Sequence, residues 1–139
     1  MLQKRLTENR WYKSTVQELF CETCQLKKDK NTIFFNDRWI SYGELQSSVH
    51  QHAQTLIKLG VKRGDRVVMM PSPCPGFTAL HFATLQIGAV INPLNLLWGV
   101  IEFTGIFQRN DPKVIVTVDR YGGRDYIKLI RKSIPDLQV

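Results

Sequence analysis

The chain has 139 residues, of which 43% are hydrophobic and 22% are charged, a composition typical of one globular domain with its own core. Its formal net charge is +7, but the 19 lysines and arginines never occur in a run longer than two. Surfaces that bind phosphate backbones usually concentrate their charge, so this scatter argues against a nucleic-acid partner.

The beginning of the chain is not expected to be a secretory signal. Residues 1–10 lack the apolar core of a secretory signal, and no stretch of about 18 apolar residues could span a membrane. Three cysteines without an export signal predict a reducing, cytoplasmic setting. Residues 1–13 are expected to be disordered.

The first predicted element is a helix over residues 15–26. A capping box begins it, formed by Ser14 with Gln17 or by Thr15 with Glu18. Apolar or small side chains recur along one face at helical spacing, namely Val16, Leu19, Phe20, Thr23 and Cys24. We expect this face to pack against the core.

A β-hairpin is predicted next. Residues 32–35 and 38–41 are the two predicted strands, and they flank Asn36-Asp37, a two-residue turn. Ser41 and Glu44 form a second capping box, so the hairpin leads directly into the second helix.

The second helix is expected to end at Gly60. Glycine readily adopts the left-handed conformation that closes a helix, and Val61 would then contact Leu56, as in a Schellman motif. The face that this helix buries is predicted from a series with steps of three and four, namely Leu45, Val49, His52, Ala53, Leu56 and Leu59.

A buried strand follows the polar turn at residues 62–65. The four residues Val67–Met70 are all apolar and do not alternate, which indicates a strand covered on both faces. A helix, a tight turn and a buried strand in succession predict a parallel α/β sheet.

The same arrangement then repeats. After the proline-rich segment 71–76, Phe77–Ile87 is apolar nearly all round, which predicts a buried helix that ends at Gly88. Residues 89–91 form the next predicted strand, and residues 92–93 end it.

The last part of the chain is predicted to alternate in the same way. A helix at 98–108 is weakened by two glycines, and a strand at 114–118 is indicated by its β-branched residues. A loop at 119–123 precedes a final helix from Tyr126 to Ile134. The fold class is therefore α/β, a layered, mostly parallel sheet with helices on its faces, preceded by a helix and a β-hairpin.

Cys21 and Cys24 have the spacing of a redox pair or of half a zinc site. A redox pair works at the start of a helix, where the dipole lowers the thiol pKa, whereas these cysteines lie in mid-helix. Zinc would need two further ligands with paired spacing, and the chain offers none. Helix packing, with Cys24 inward and Cys21 at the flank, is the favoured interpretation.

His52 and His81 are candidates for a catalytic base. Both lie in apolar surroundings, so we expect hydrogen-bonded core histidines. Neither has a nearby serine or cysteine nucleophile in an elbow-type glycine pattern.

Two further segments could contact a ligand or a membrane. Gly122-Gly123, between Arg120 and Arg124, could form an anion nest, but it lacks a phosphate-binding motif and favours a flexible loop. The apolar patch Leu96–Trp98 lacks the basic face of a membrane anchor, so we expect it to be buried against a partner or against further parts of the same protein.

Three segments carry a resemblance to a known family: Ser41-Tyr42-Gly43-Glu44-Leu45, then Leu59-Gly60-Val61-Lys62-Arg63-Gly64-Asp65-Arg66-Val67, then Gly88-Ala89-Val90-Ile91-Asn92-Pro93-Leu94. In their order and spacing they are similar to the N-terminal region of the AMP-forming acyl-CoA synthetases. The resemblance runs from about Trp11 to the last residue. The stretch from Asp119 to Leu137 is similar to a linker of fatty-acid and aryl-acid CoA ligases.

The resemblance implies the N-terminal subdomain of the adenylate-forming enzyme fold, with residues 1–139 as a single fragment truncated before the ATP-binding motif. It also implies a parent enzyme that joins a carboxylate to ATP and passes the acyl group to coenzyme A, with Mg²⁺. No catalytic, cofactor-binding or metal-binding residue carries over to this chain. The Ser/Thr/Gly-rich loop, the acidic residues for Mg²⁺ and the C-terminal catalytic lysine of that family have no counterpart here.

Two functional hypotheses of different classes follow. The chain is expected to be an inactive N-terminal piece of a ligase that acts on a fatty or aryl acid, with self-association through apolar surface left by truncation. The alternative is a non-enzymatic binding or assembly module derived from the same fold. Neither hypothesis identifies the acid.

Overall fold

The computed structural model describes residues 14–70 and 73–134, and the expectations for residues 1–13, Pro71 and Pro135 lie outside them. Within these ranges no helix is long and apolar enough to cross a bilayer. The elements in chain order are α1 (Val16–Leu26), β1 (Asn31–Phe35), β2 (Arg38–Ser41), α2 (Tyr42–Lys58), β3 (Arg66–Met69), α3 (Pro75–Gln86), β4 (Val90–Pro93), α4 (Val100–Asn110), β5 (Val114–Val116), β6 (Arg120–Tyr121), β7 (Arg124–Asp125) and α5 (Tyr126–Ser133).

Reciprocal capping boxes begin α1 and α2, as predicted. At α1 the Glu18 amide donates to the Thr15 hydroxyl at 3.2 Å, and the Thr15 amide donates to the Glu18 carboxylate at 2.7 Å. Ser41 and Glu44 exchange the same pair of bonds at α2. These bonds satisfy backbone donors that the first turn of a helix leaves free.

The hairpin of β1 and β2 has its turn at Asn36 and Asp37, with φ of 48° and 57°. A tight two-residue hairpin turn requires the left-handed backbone conformation at both residues, so the predicted turn is confirmed. Ile33 and Ile40 pack against the core, whereas Phe34 and Trp39 pair on the exposed outer side.

Gly60 ends α2 in a Schellman motif. Its amide donates to Ile57 at 2.9 Å, and the Val61 amide donates to Leu56 at 3.0 Å. Gly88 ends α3 by the same two-bond pattern, and both glycines have positive φ. The predicted buried face of α2 is wrong at Leu59, which is 56% exposed because it is the C-cap, where the chain leaves the helix.

The three-stranded parallel sheet has the order β4-β3-β5, so β3 is its centre. Val67 and Met69 point to the first face, which α1, α2 and α3 cover together with the hairpin. Val68 and Met70 point to the second face, which α4 and α5 cover. All four are buried, which explains why β3 shows no alternation.

The predicted loop at residues 119–123 is wrong in part. Arg120 and Tyr121 pair with Asp125 and Arg124 in a second, very short antiparallel hairpin. Gly122 and Gly123 form its turn with φ of 56° and 76°. Strands of two residues are too short to show a period in the sequence.

Candidate functional site

The candidate site is a cavity of about 160 Å³ at the carboxyl edge of the sheet, which we call the carboxyl-edge cavity. β3 leads to a helix on the first face and β5 to a helix on the second face, and parallel α/β proteins commonly bind ligands where connections diverge in this way. Its walls include Met69, Met70, His52, Cys74, Val116 and Thr117.

His52 forms part of the wall of this cavity. Its Nδ1 lies 2.7 Å from the Ser48 carbonyl oxygen. A carbonyl oxygen only accepts, so Nδ1 donates, and Nε2 is the unprotonated nitrogen of the neutral ring. The predicted hydrogen bond is confirmed, but His52 is half-buried at the cavity rather than in the core.

The other polar groups of the cavity are a thiol and a hydroxyl. Cys74 is the N-cap residue of α3 and has a free, half-buried thiol. The Thr117 hydroxyl donates to the Val118 carbonyl at 2.9 Å. Among the described residues that line the cavity, none is an aspartate, glutamate, lysine or arginine. The cavity therefore suits a small, mostly apolar group and does not fit ATP phosphates or Mg²⁺, which need basic and acidic partners.

Cys21 and Cys24 pack within α1, as predicted. Cys24 is fully buried, whereas Cys21 is half-buried. Burial, with a smaller contribution from Cys21, raises the pKa of the Cys24 thiol to about 11, so it is protonated at neutral pH. In residues 14–70 and 73–134 no group of three potential metal ligands occurs.

His81 does not join the carboxyl-edge cavity. It is half-buried, and its ring meets Phe77 and Phe82 edge-on, with ring centroids 6.4 and 6.0 Å away. These contacts place His81 in an aromatic environment rather than beside a nucleophile.

Arg124 is a residue whose role sequence reasoning missed. Its guanidinium donates to the carbonyl oxygens of Leu96 and Trp98 and lies 5.6 Å from the Tyr126 ring centroid. The Tyr126 hydroxyl also donates to Leu96, at 2.9 Å. Arg124 thus holds in place the segment that precedes α4. No sequence pattern signals this role, because its acceptors are backbone carbonyls more than 25 residues away.

The apolar patch Leu96–Trp98 divides in the structure. Leu96 and Trp98 are half-buried against the core of the second face. Leu97, in the turn before α4, is 82% exposed, and Ile101, in the first turn of α4, is 85% exposed. Two residues of the patch therefore pack inside the protein, whereas Leu97 contributes to an apolar surface that is open to solvent.

The chain is similar in sequence to known proteins. A family model described as "AMP-binding enzyme" matches residues 20–138. YngI of Bacillus subtilis is 29% identical over 127 residues, which cover 90% of this chain and 23% of YngI. Crotonobetaine/carnitine–CoA ligase of Salmonella paratyphi A is 26% identical over 107 residues, which cover 73% of this chain and 21% of that ligase.

Solved structures show the same fold. Coronafacic acid ligase from Pectobacterium brasiliense matches with a TM-score of 0.77 at 21% identity, over 88% of this chain and 23% of the ligase chain. The N-terminal domain of FACL13 from Mycobacterium tuberculosis matches with a TM-score of 0.69 at 20% identity, over 73% of this chain and 26% of that domain. This chain spans about a quarter of the length of these relatives. The family match and the shared fold together establish that the chain belongs to the AMP-binding, adenylate-forming enzyme family.

Proposed function

We propose that this chain is the N-terminal part of an acid–thiol ligase. In the proposed reaction a carboxylate attacks the α-phosphorus of ATP and releases pyrophosphate, and the coenzyme A thiol then displaces AMP from the acyl-adenylate. The observation that carries the proposal is the family match over residues 20–138. Relatives named as acyl-CoA or carnitine-CoA ligases support it.

The proposed substrate is a fatty or aryl acid. Two structural neighbours support these classes, one titled a fatty acyl CoA synthetase and the other an anthranilate CoA ligase. Both are less than 25% identical to this chain, so their likeness shows the shared fold, and the acid classes are proposed from their titles.

We further propose that the chain alone neither binds ATP productively nor adenylates an acid. The carboxyl-edge cavity holds about 160 Å³, and among the described residues that line it His52 alone has a titratable nitrogen. In the whole enzyme, ATP, Mg²⁺ and coenzyme A would then be held by residues outside this chain, and the sheet would serve as scaffold.

Location and self-association are proposals as well. The three free cysteines support the cytoplasm, where thiols stay reduced. The open side chains of Leu97 and Ile101 support self-association. Sedimentation of the chain should show a dimer that Ile101→Asp converts to monomer; a monomer at all concentrations would contradict self-association.

The ligase proposal is tested by sequencing the gene beyond codon 139 and by assaying its full product. We expect the reading frame to continue past codon 139 into a Ser/Thr/Gly-rich loop, and its full product to release pyrophosphate and form a thioester from ATP, Mg²⁺, coenzyme A and a fatty or aryl acid. A stop codon directly after codon 139, or a full product with that loop and no pyrophosphate release across the acid panel, would contradict it. If the reading frame stops after codon 139 and the chain co-purifies with one defined partner, the alternative hypothesis of a non-enzymatic binding module would be favoured.

A further inference from the structure

The outer side of the two helices that cover the second face carries an exposed apolar pair. Leu97, in the turn before α4, and Ile101, in its first turn, are the two most exposed large apolar side chains of the described chain. The segment around them has no basic face of its own. In the structure, however, α5 packs beside α4 on the same face of the sheet. The surroundings of the apolar pair are therefore set by α5.

Hydrogen bonds between α4 and α5 fix this arrangement. The Ser133 hydroxyl oxygen lies 3.3 Å from the Val100 carbonyl oxygen, and the Thr104 hydroxyl oxygen lies 3.5 Å from the Ser133 carbonyl oxygen. Val100 directly precedes Ile101, and Lys132 directly precedes Ser133. The bonds therefore bring the end of α5 next to the exposed start of α4.

Three exposed cations lie on one side of α5. Lys128, Arg131 and Lys132 are three and four residues apart, a spacing that places them on one face of the helix. This face lies opposite the buried side chains of Tyr126 and Ile130. The three cations line a concavity of about 340 Å³, and none of them takes part in an ion pair among the described residues. They are therefore available to an anionic partner.

Acidic residues do little to neutralise these cations. α5 contains none, and Glu102 and Asp125, which adjoin the surface, lie at the starts of α4 and α5. Each carboxylate accepts a backbone amide at 2.9 Å, from Gly99 and from Lys128 respectively, and the helix dipole offsets its charge. The surface thus combines an exposed apolar pair with a local excess of positive charge.

We propose that this surface docks on an anionic lipid bilayer, and we call it the α4–α5 patch (Leu97, Ile101, Lys128, Arg131 and Lys132). The cations pair with lipid headgroups, and the two apolar side chains enter the interfacial region. A second copy of the chain at Leu97 and Ile101 complements the apolar part alone, whereas an anionic bilayer complements both parts. The proposal does not depend on the ligase reaction.

Flotation of the 139-residue chain with lipid vesicles tests the proposal. Vesicles of phosphatidylserine and phosphatidylcholine in about equal amounts should bind the chain, and vesicles of phosphatidylcholine alone should bind it at least about tenfold more weakly. Because the cations are exposed, added salt should weaken binding to the anionic vesicles.

Two triple variants separate the patch from the net charge of the chain. The patch variant combines Lys128→Ala, Arg131→Ala and Lys132→Ala. It should weaken binding to anionic vesicles about 100-fold, since each cation near an anionic surface contributes about fivefold. The matched control removes the same charge from exposed residues before β1 and combines Lys27→Ala, Lys28→Ala and Lys30→Ala. It should weaken binding less than about threefold, because charges away from the bilayer are screened.

A second comparison tests the apolar pair. Leu97→Ser combined with Ile101→Ser should weaken binding to anionic vesicles about tenfold, because less apolar surface leaves water on docking. Ile57→Ser, at a 57% exposed position on α2, should leave binding unchanged. Equal melting temperatures and circular dichroism spectra verify that each variant is folded.

Three results would overturn the proposal. The first is binding to anionic vesicles that is no stronger than binding to phosphatidylcholine alone. The second is an equal loss in the two triple variants, which would mean that net charge alone attracts the chain. The third is vesicle binding that the Leu97→Ser and Ile101→Ser variant retains while its dimer dissociates, which would assign the apolar pair to a second copy.

Discussion

The two faces of the sheet are assembled in different ways. On the first face, consecutive elements are each bounded by a local signal, such as the Ser41 capping box or the glycine endings of α2 and α3. On the second face, side chains of α5 and its preceding hairpin bond to backbone carbonyls about 30 residues earlier, from Arg124 and Tyr126 to Leu96 and from Ser133 to Val100. Local bonds specify where elements begin and end, whereas the distant bonds specify how they pack.

The largest expected loss of stability comes from a buried position on the second face, and an exposed position nearby is its control. Phe103→Ala empties a fully buried site in α4 and should lower the free energy of unfolding by about 3–5 kcal/mol. Ile101→Ala, two residues earlier and 85% exposed, should change it by less than about 0.5 kcal/mol at a chain concentration low enough for the monomer. Urea unfolding measures both, and equal losses would mean that α4 does not pack through Phe103.

The distant bonds of the second face are tested at Arg124. Arg124→Ala leaves the Leu96 and Trp98 carbonyls without this donor and should cost about 2 kcal/mol. Arg120→Ala removes an exposed pair with Asp125 at 3.8 Å and should cost less than about 1 kcal/mol. If urea unfolding gives the two variants the same stability, the bonds from Arg124 do not hold the second face.

The local signals of the first face are tested at its helix endings. Gly60→Ala and Gly88→Ala force alanine into positive φ and should each cost about 1–2 kcal/mol. Gly88→Ala should cost the more, because its added Cβ would lie 3.0 Å from Arg63 Cγ, whereas at Gly60 the nearest atom is 3.8 Å away.

Gly76→Ala is the matched control for these two endings. Gly76 lies within α3 and is not among the residues with positive φ, so alanine should stabilise the protein by about 0.4–1 kcal/mol. Thermal melting ranks the three variants, and a loss at Gly76 as large as at Gly60 would show that backbone conformation is not the cause.

The smallest expected effect is the pH dependence of stability that comes from carboxylates at the starts of helices. The backbone amide of Ser41, with Arg38 nearby, lowers the pKa of Glu44, and the amides of Glu102 itself and of Gly99 lower that of Glu102. A pKa lowered in the folded state stabilises the protein above the unfolded value and loses this effect as the pH falls through the folded value.

Melting temperatures between pH 7 and pH 3 test this pH dependence. Glu44→Gln and Glu102→Gln keep a side-chain acceptor for the cap but remove the titrating charge, so each should reduce the loss of melting temperature in acid. Acid curves identical to that of the unchanged protein would rule out both carboxylates as contributors.

The same contrast explains what the sequence could predict. The hairpin turn at Asn36-Asp37, the end of α2 at Gly60 and the buried strand Val67–Met70 follow from neighbouring residues, and the structure confirms them. The short hairpin around Gly122-Gly123 and the partners of Arg124 depend on contacts distant in sequence. The apolar stripe of α2 predicts a hydrogen-bonded His52, and the structure confirms the bond. The position of His52 at the carboxyl-edge cavity depends on how α2 packs on β3 and β5, which no local pattern encodes.

Pyrophosphate release by the 139-residue chain alone is the direct measure of the proposal that these residues form a scaffold without adenylating activity. With ATP, Mg²⁺, coenzyme A and a panel of fatty and aryl acids, we expect no pyrophosphate release above an enzyme-free blank. Acid-dependent release that rises in proportion to chain concentration, and persists after repurification, would contradict it.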